Sequence, residues 1–359
     1  MDVLRDLWYS FRYCRTPSRS RGLTSLLAAS RLCVAPMTMY SVSIGGLLAF
    51  LQGSFDPILF TLIMVGFVAA HILDNIVNDL SDYMKKIDVP GYFRTLYGPH
   101  PFIDGILSVR SALFFALLVA AYNSILALYL SLTVTPLIGI LALAGAAAIL
   151  LYAGWPIDGK SMGLGEVLVA IVWGPVMAGG TLLALAGHHP LEAAAVYMPF
   201  AATVSLVLIG KHLDKIEYDS AKGVGTLPVR LGERPTRVLS ALIAVLAPLA
   251  AAWGVYIYTG EPLASLVTAL IAVPSSVVSA VALYRERPAG PPEGWRVWPL
   301  WSAAWGFIAM DSLGRAILLS LLLAASIGSK AFPAMLAVSV IVALMEALRL
   351  PRLFRMAAG

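Results

Sequence analysis

The chain has 359 residues, of which 59% are hydrophobic and only 13% are charged, and its mean hydropathy is +0.84. Because an average soluble domain carries about 25% charged residues, this composition excludes an ordinary soluble enzyme and indicates a polytopic membrane protein. The net charge is +5, and we expect a lipid bilayer and small molecules as partners, with no nucleic acid.

Residues 1–31 are predicted to form a basic arm. The arm carries six arginines and lacks the apolar core and cleavage site of a signal peptide. We expect it to lie on the membrane surface as a partly amphipathic segment. Cys14 and Cys33 have no metal-ligand spacing, and we expect both to be free thiols.

Ten stretches after the arm predict transmembrane helices, because a spanning helix needs roughly 20 mostly apolar residues. In chain order they are 34–51, 57–77, 111–131, 134–153, 164–187, 191–211, 236–258, 262–284, 302–325 and 331–349. The fold class is therefore an all-α membrane bundle, with no room for a soluble domain.

The distribution of Lys and Arg predicts the orientation of this bundle. With the N-terminus inside, 23 of the 25 Lys and Arg residues lie in inside segments, while Lys330 is outside and Arg315 is within the ninth span. By the positive-inside rule, both chain ends and the two longest loops, about 83–110 and 212–235, face the cytoplasm. We predict a multi-pass protein of the cell membrane with a cytoplasmic site.

A first group of polar residues follows the second span. Asn75, Asn78, Asp79 and Asp82 fall on one face of a helix, and Asp88 follows six residues later. Acids at membrane depth cost roughly 2.5–3.5 kcal/mol each on insertion scales, so they indicate function. Hard oxygen ligands of this kind suit Mg²⁺, which completes its shell with water and substrate phosphates.

A second acidic group follows the sixth span and contains Asp214, Glu217 and Asp219. Five residues on an ideal helix correspond to about 140° of rotation after one full turn, so Asp214 and Asp219 would diverge, whereas Asp214 and Glu217 would share a face. A helix end or a π-bulge between Asp214 and Asp219 would let these two carboxylates converge. We expect Asp214 and Asp219 to bind metal, and Glu217 is the next candidate for a metal ligand.

Several stretches resemble the UbiA superfamily of membrane prenyltransferases. The first motif, with Asp88 in NDLSDYMKKID, is similar to the MenA-like branch, which prenylates 1,4-dihydroxy-2-naphthoate. Tyr152-x-Gly154-x-Pro156 and the segment Thr226-Leu-Pro-Val-Arg-Leu-Gly232 add to the resemblance, which runs from about residue 30 to 323. In the second motif the family usually has two Asp at i and i+4, but here Lys215 lies four residues before Asp219. Lys215 is either a structural neighbour or a phosphate contact.

The resemblance implies a bundle of nine transmembrane helices over 32–325, with 326–359 as an extra tenth helix and basic tail. It implies Mg²⁺-dependent transfer of a prenyl group from an isoprenoid diphosphate to an aromatic acceptor, for which the MenA-like branch indicates 1,4-dihydroxy-2-naphthoate in menaquinone biosynthesis. The implied catalytic residues are Asp79, Asp82, Asp214 and Asp219, which with Asn75 and Asn78 would also bind the metal. The expected substrate-binding residues are Asp88, Arg94, Tyr152, Lys160, His212 and Lys222.

Two alternatives remain open on the sequence, and a third lacks the motif that it requires. The same fold could act on 4-hydroxybenzoate or an ether-lipid glycerol precursor, because acceptor choice depends on pocket residues that no motif labels. An ion-coupled transporter would also carry intramembrane acids, although both clusters here lie at the cytoplasmic end of their helices. A CDP-alcohol phosphotransferase would need a D-G-x-x-A-R sequence, and Asp104-Gly105 does not continue in that way.

Overall fold

The computed structural model describes residues 10, 12–14, 23–154, 157–293 and 295–358. Its regular structure in these ranges consists of helices. In the first half they are α1 (Leu23–Ala29), α2 (Pro36–Leu51), α3 (Pro57–Met84), α4 (Val109–Thr133), α5 (Leu137–Ala153), α6 (Gly165–Ile171) and α7 (Gly180–Ala186). A π-helical segment, Val172–Gly179, joins α6 to α7.

The second half continues the bundle. Its helices are α8 (Ala193–Asp214), the short α9 (Ile216–Ala221) and α10 (Leu227–Leu231), then α11 (Glu233–Thr259), α12 (Pro262–Tyr284), α13 (Ser302–Ser326) and α14 (Phe332–Ala358). The all-α prediction is confirmed.

Nine helices in the described ranges are long and apolar enough to cross a membrane. The remaining predicted span is α5, an apolar helix of 17 residues, which is at the lower limit of a spanning helix. The predicted tenth span, 331–349, is found within α14. By length and composition this is a multi-pass membrane protein.

Several helices run beyond their predicted spans, and in two of them the extension carries residues of the acidic clusters. α3 begins where Asp56 accepts hydrogen bonds from the backbone N–H groups of Ile58 and Leu59, and it continues to Met84 instead of ending near residue 77. α8 continues to Asp214 instead of ending near residue 211. The polar residues of both clusters therefore begin inside helices.

α8 lies at the centre of the bundle, packed against α11 and α13. Gly210 makes the contact with α13 possible, because a Cβ at this position would lie only 2.5 Å from the backbone of Ser302. Beyond α13, Glu346 of α14 is buried and is bonded by Arg315 at 2.7 Å and by Ser275 at 2.9 Å. These contacts join the additional helix α14 to α12 and α13.

The two cysteines form a disulfide, with their Cα atoms 5.2 Å apart, so the expectation of free thiols was wrong. Spacing alone could not show this, because the two cysteines are 19 residues apart and their pairing depends on the fold. The disulfide ties Cys14 to Cys33, next to Arg31. Most of the predicted surface arm, residues 1–9, 11 and 15–22, lies outside the described residues.

Candidate functional site

The end of α3 carries the predicted stripe of polar side chains. Asn75, Asn78, Asp79 and Asp82 are all buried, and Asp79 has no exposed surface. Because α3 remains helical through this region, the four residues share one face, as their spacing predicted.

Two arginines neutralise Asp79. Arg31, just before the helical turn that leads into α2, pairs with Asp79 and also donates a hydrogen bond to Asn75 Oδ1 at 3.3 Å. Arg94 donates from Nη2 and Nε to Asp79 Oδ2 at 2.8 and 3.1 Å. Arg94 is held in turn by the carbonyl oxygen of Pro99, at 3.1 Å from Nη2. Asp79 therefore joins the N-terminal segment, α3 and the loop that follows α3.

Lys160 neutralises Asp82 from the loop between α5 and α6. Its Nζ lies 2.8 Å from both carboxylate oxygens of Asp82 and 3.2 Å from Asn78 Oδ1. Burial alone would lower the pKa of Lys160, but the charge of Asp82 and this hydrogen bond raise it above its usual value. Lys160 is therefore a firmly charged group in the site.

The long loop after α3 folds over the stripe and brings Asp88 to it. His100 accepts hydrogen bonds at Nδ1 from the backbone N–H groups of Phe102 and Ile103, so its proton is on Nε2, which donates to Asp88 at 3.1 Å. Burial lowers the pKa of His100, which keeps the ring neutral. Ligand atoms of Asp79, Asp88 and His100 lie within 4.8 Å of one another.

Asp219 forms the centre of the second cluster. Its Oδ1 accepts hydrogen bonds from Tyr92 Oη and Lys215 Nζ, each at 2.8 Å, and its Oδ2 accepts one from Thr226 at 3.1 Å. Burial and the neighbouring Asp219 carboxylate raise the pKa of Tyr92, so the phenol remains a donor.

Asp214 does not converge with Asp219, contrary to prediction. The predicted helix end exists, because α8 stops at Asp214 and Lys215 has non-helical dihedral angles. However, the Asp214 carboxylate accepts hydrogen bonds from the backbone N–H groups of Ser302 and Ala303, at 2.8 and 3.0 Å. It therefore caps the N-terminus of α13, because the first N–H groups of a helix have no partner within it. Glu217 is exposed.

The remaining predicted substrate contacts differ in position. Tyr152 is buried at the end of α5. His212 is also buried and pairs through Nδ1 with Glu166 at 2.7 Å, while its Nε2 has no partner among the described residues. Lys222 is exposed and donates to the carbonyl oxygen of Lys86 at 3.4 Å, so the structure does not bring it to the acidic residues.

Residues of the first cluster, the loop after α3 and the end of α8 enclose a small polar pocket. We define this pocket by its charged lining: Asp79, Asp82, Asp88, Arg31, Arg94, Lys211 and Lys215. Lys211 was not predicted as a site residue. It lies four residues before Lys215, and the described residues give its ammonium group no ion pair. A lysine at the apolar end of a predicted span was the available signal, because such a residue is costly unless it serves a site.

Next to the polar pocket lies an apolar cavity of about 660 Å³ between α3, α4, α5 and the α6–α7 segment. It contains few polar groups, among them His71 and Asp74 of α3, together with Tyr152 and Trp173. His71 Nδ1 lies 2.8 Å from Thr38 Oγ1, whereas Asp74 has no hydrogen bond to a described residue. His71 and Asp74 were not predicted as site residues, although Asp74 lies one residue before the predicted stripe.

The donor set of the first cluster fits Mg²⁺. Asn78, Asp79, Asp82 and Asp88 supply hard oxygen ligands on or beside one helical face, the kind of shell that Mg²⁺ shares with water and phosphate. The second cluster does not fit in the same way, because it offers the single carboxylate of Asp219, whereas the first cluster offers three carboxylates.

The chain is similar to known proteins in sequence and in fold. A family model described as the UbiA prenyltransferase family matches residues 38–303. The 1,4-dihydroxy-2-naphthoate octaprenyltransferase of Escherichia coli is 26% identical over 204 residues, which cover 55% of this chain and 65% of that protein. A digeranylgeranylglyceryl phosphate synthase of Methanosarcina mazei is 25% identical over 239 residues, covering 64% and 78%. The match spans slightly less than two thirds of the E. coli protein.

A solved structure of a UbiA homolog from Archaeoglobus fulgidus, bound to GPP and Mg²⁺, has a similar fold. The TM-score is 0.52 at 17% identity, and the alignment covers 82% of this chain and 99% of that one. At this identity the likeness concerns the fold.

Proposed function

The chain belongs to the UbiA prenyltransferase family, and we propose that it transfers a prenyl group from an isoprenoid diphosphate to an acceptor within the membrane. One observation carries the proposal: the polar pocket and the apolar cavity adjoin along α3. Asp74 and Val77 line the cavity, while Asn78 and Asp79 line the pocket one turn later, a rise of about 6 Å. This arrangement matches a molecule with a charged head and a long apolar tail.

The basic residues of the pocket would bind the diphosphate. Arg31, Arg94, Lys160 and Lys211 converge from four separate segments on a buried site. Positive groups aimed at a leaving pyrophosphate stabilise the charge that it gains as the allylic C–O bond breaks. When bound at Asn78, Asp79 and Asp82, Mg²⁺ would supply Lewis-acid neutralisation of the same phosphate oxygens.

The apolar cavity would hold the prenyl chain and exclude water from the allylic cation. Its volume is within the usual range for ligand sites, about 300–1,000 Å³, and its walls are mainly aliphatic. Water would compete with the acceptor for the cation, so a dry site protects the reaction. Tyr152 and Trp173 are part of the cavity wall, and aromatic rings of this kind can attract a cation.

We infer that the acceptor is 1,4-dihydroxy-2-naphthoate, which would place the protein in menaquinone synthesis. The spacing of Asn78, Asp79, Asp82 and Asp88 and the similarity to the E. coli octaprenyltransferase support this acceptor. Asp74, without a hydrogen-bond partner in the described structure, would receive an acceptor hydroxyl at the polar end of the cavity. A glycerol-based acceptor is the second candidate, since the match to the Methanosarcina synthase covers more of that relative's length.

We further infer that the site faces the cytoplasm from the cell membrane. The support is the positive-inside distribution, with 23 of the 25 Lys and Arg on the side of both acidic clusters.

The test is a transfer assay with the purified full chain, Mg²⁺ and labelled geranylgeranyl diphosphate. The acceptors 1,4-dihydroxy-2-naphthoate, 4-hydroxybenzoate and geranylgeranylglyceryl phosphate are supplied separately, and products are identified by mass spectrometry. We expect prenylated naphthoate with Mg²⁺ and none in excess EDTA. Full transfer in EDTA would exclude the metal dependence. If only geranylgeranylglyceryl phosphate gave a product, the glycerol-based acceptor would replace 1,4-dihydroxy-2-naphthoate in the proposal. No product with any acceptor would leave the proposed activity without support.

A further inference from the structure

The second acidic cluster provides no pair of carboxylates. Asp214 uses both of its oxygens on the backbone N–H groups of Ser302 and Ala303, and Gly210 keeps α13 close enough for that cap. Glu217 is exposed. Asp219 is therefore the one carboxylate that this cluster turns toward the site.

Lys215 occupies the position where the family usually has the first of the two Asp residues of this motif. It lies four residues before Asp219 and is buried, and its Nζ is 2.8 Å from Asp219 Oδ1. Tyr92 and Thr226 donate to the same carboxylate. Asp219 is therefore paired with a basic side chain, as Asp79 and Asp82 are in the first cluster, but in the described part of the chain it has no second carboxylate beside it with which to bind a metal ion.

Lys211 in the last turn of α8 and Lys215 directly after it also line the polar pocket. Lys211 and Lys215 are four residues apart, and both contribute to the wall that contains Asp79 and Asp82. Lys211 has no ion pair among the described residues. Ammonium groups are strongly hydrated donors that bind phosphate as point charges, so two lysines side by side in this pocket, one of them without an ion pair among the described residues, indicate an anionic ligand.

The charge balance of the pocket supports a single metal ion. The groups that line it, or pair with one that does, are five basic side chains (Arg31, Arg94, Lys160, Lys211 and Lys215) and four carboxylates (Asp79, Asp82, Asp88 and Asp219). With all nine groups ionised around a bound anion, the excess is one positive charge, and one divalent cation would raise it to three. A diphosphate ester carries roughly three negative charges, about two of them on its outer phosphate, so one cation suffices for neutrality.

We propose that Lys215 replaces a divalent cation at the second acidic cluster. The chain then binds one divalent cation, at the first cluster, and holds the diphosphate at the second cluster with the ammonium groups of Lys215 and Lys211. This inference rests on the proposed function for the identity of the anion, but the count of metal ions can be measured without any transfer.

The experiment counts Mn²⁺ bound to the purified full chain with inorganic pyrophosphate, by electron paramagnetic resonance, after subtraction of the protein-free solution. We expect one Mn²⁺ per chain, with the spectrum of an isolated ion. Lys215→Asp places two carboxylates at i and i+4 and should bind two Mn²⁺, whose signals are coupled because paired metals lie about 3.5–4 Å apart. Two coupled ions in the unmodified chain, or none, would overturn the proposal.

Lys222→Asp is the matched control, because it adds the same charge change on the same segment at an exposed residue. It should still bind one Mn²⁺, and a second ion in this variant would show that charge alone recruits it. Lys215→Met keeps the length of the side chain and covers the case in which Lys215→Asp does not fold. It should keep one Mn²⁺ and bind pyrophosphate at least tenfold more weakly, and unchanged pyrophosphate affinity would refute the role of the ammonium group.

Discussion

Replacing Asp214 by Ala should destabilise the protein without removing its chemistry. The change deletes both acceptors for the N–H groups of Ser302 and Ala303, which are buried at the start of α13. Loss of a helix cap costs about 0.5–2 kcal/mol, and a buried donor left without an acceptor costs about 1–3 kcal/mol. We therefore expect the free energy of unfolding to fall by about 2–4 kcal/mol. At about 2 °C per kcal/mol for a chain of this size, the melting temperature should fall by about 4–8 °C.

The assay combines thermal unfolding in detergent with transfer activity measured well below the melting temperature. Asp214→Asn keeps one acceptor and should recover about half of the lost stability. Both variants should keep transfer activity per folded molecule within about threefold of the unmodified chain. In contrast, Asp219→Asn should lose more than a hundredfold, because Asp219 holds Tyr92, Lys215 and Thr226. An inactive Asp214→Asn with an unchanged melting temperature would refute the capping role and restore Asp214 as a site residue.

Three other outcomes are expected. Asp82→Asn should abolish transfer and leave Lys160 without a counter-charge, whereas Asp82→Asn combined with Lys160→Met should regain stability but not activity, as measured by melting and turnover. Burial lowers the pKa of His100 below its usual 6.5, so as the pH falls the unfolded chain binds a proton at this histidine before the folded chain does. Stability should fall as the pH drops below about 6.5, and the melting temperature of His100→Gln should fall less between pH 7 and 5. Finally, a reporter fused after α14 and active only in the cytoplasm should be active, and an external C-terminus would contradict the orientation inferred from the charges.

The amino-acid sequence by itself determined the class of fold and the first half of the site. Long apolar stretches cannot remain in water, so their number and length predict the helices. The stripe from Asn75 to Asp82 could be predicted because helical periodicity is a local property, and α3 remains helical through it. Asp88 was predicted as part of a motif and Arg94 as a basic residue of the loop that follows it, and the folded loop brings both to the site.

Only the tertiary structure decided what the second cluster does. The direction of the Asp214 side chain depends on α13, which begins 88 residues later and approaches α8 at Gly210. The pairing of Arg31 with Asp79 likewise joins segments 48 residues apart. Charge and spacing show that these residues are costly to bury, but not which partner satisfies them. That choice depends on which buried donors and acceptors the packed helices bring within hydrogen-bonding distance, and no local pattern records it.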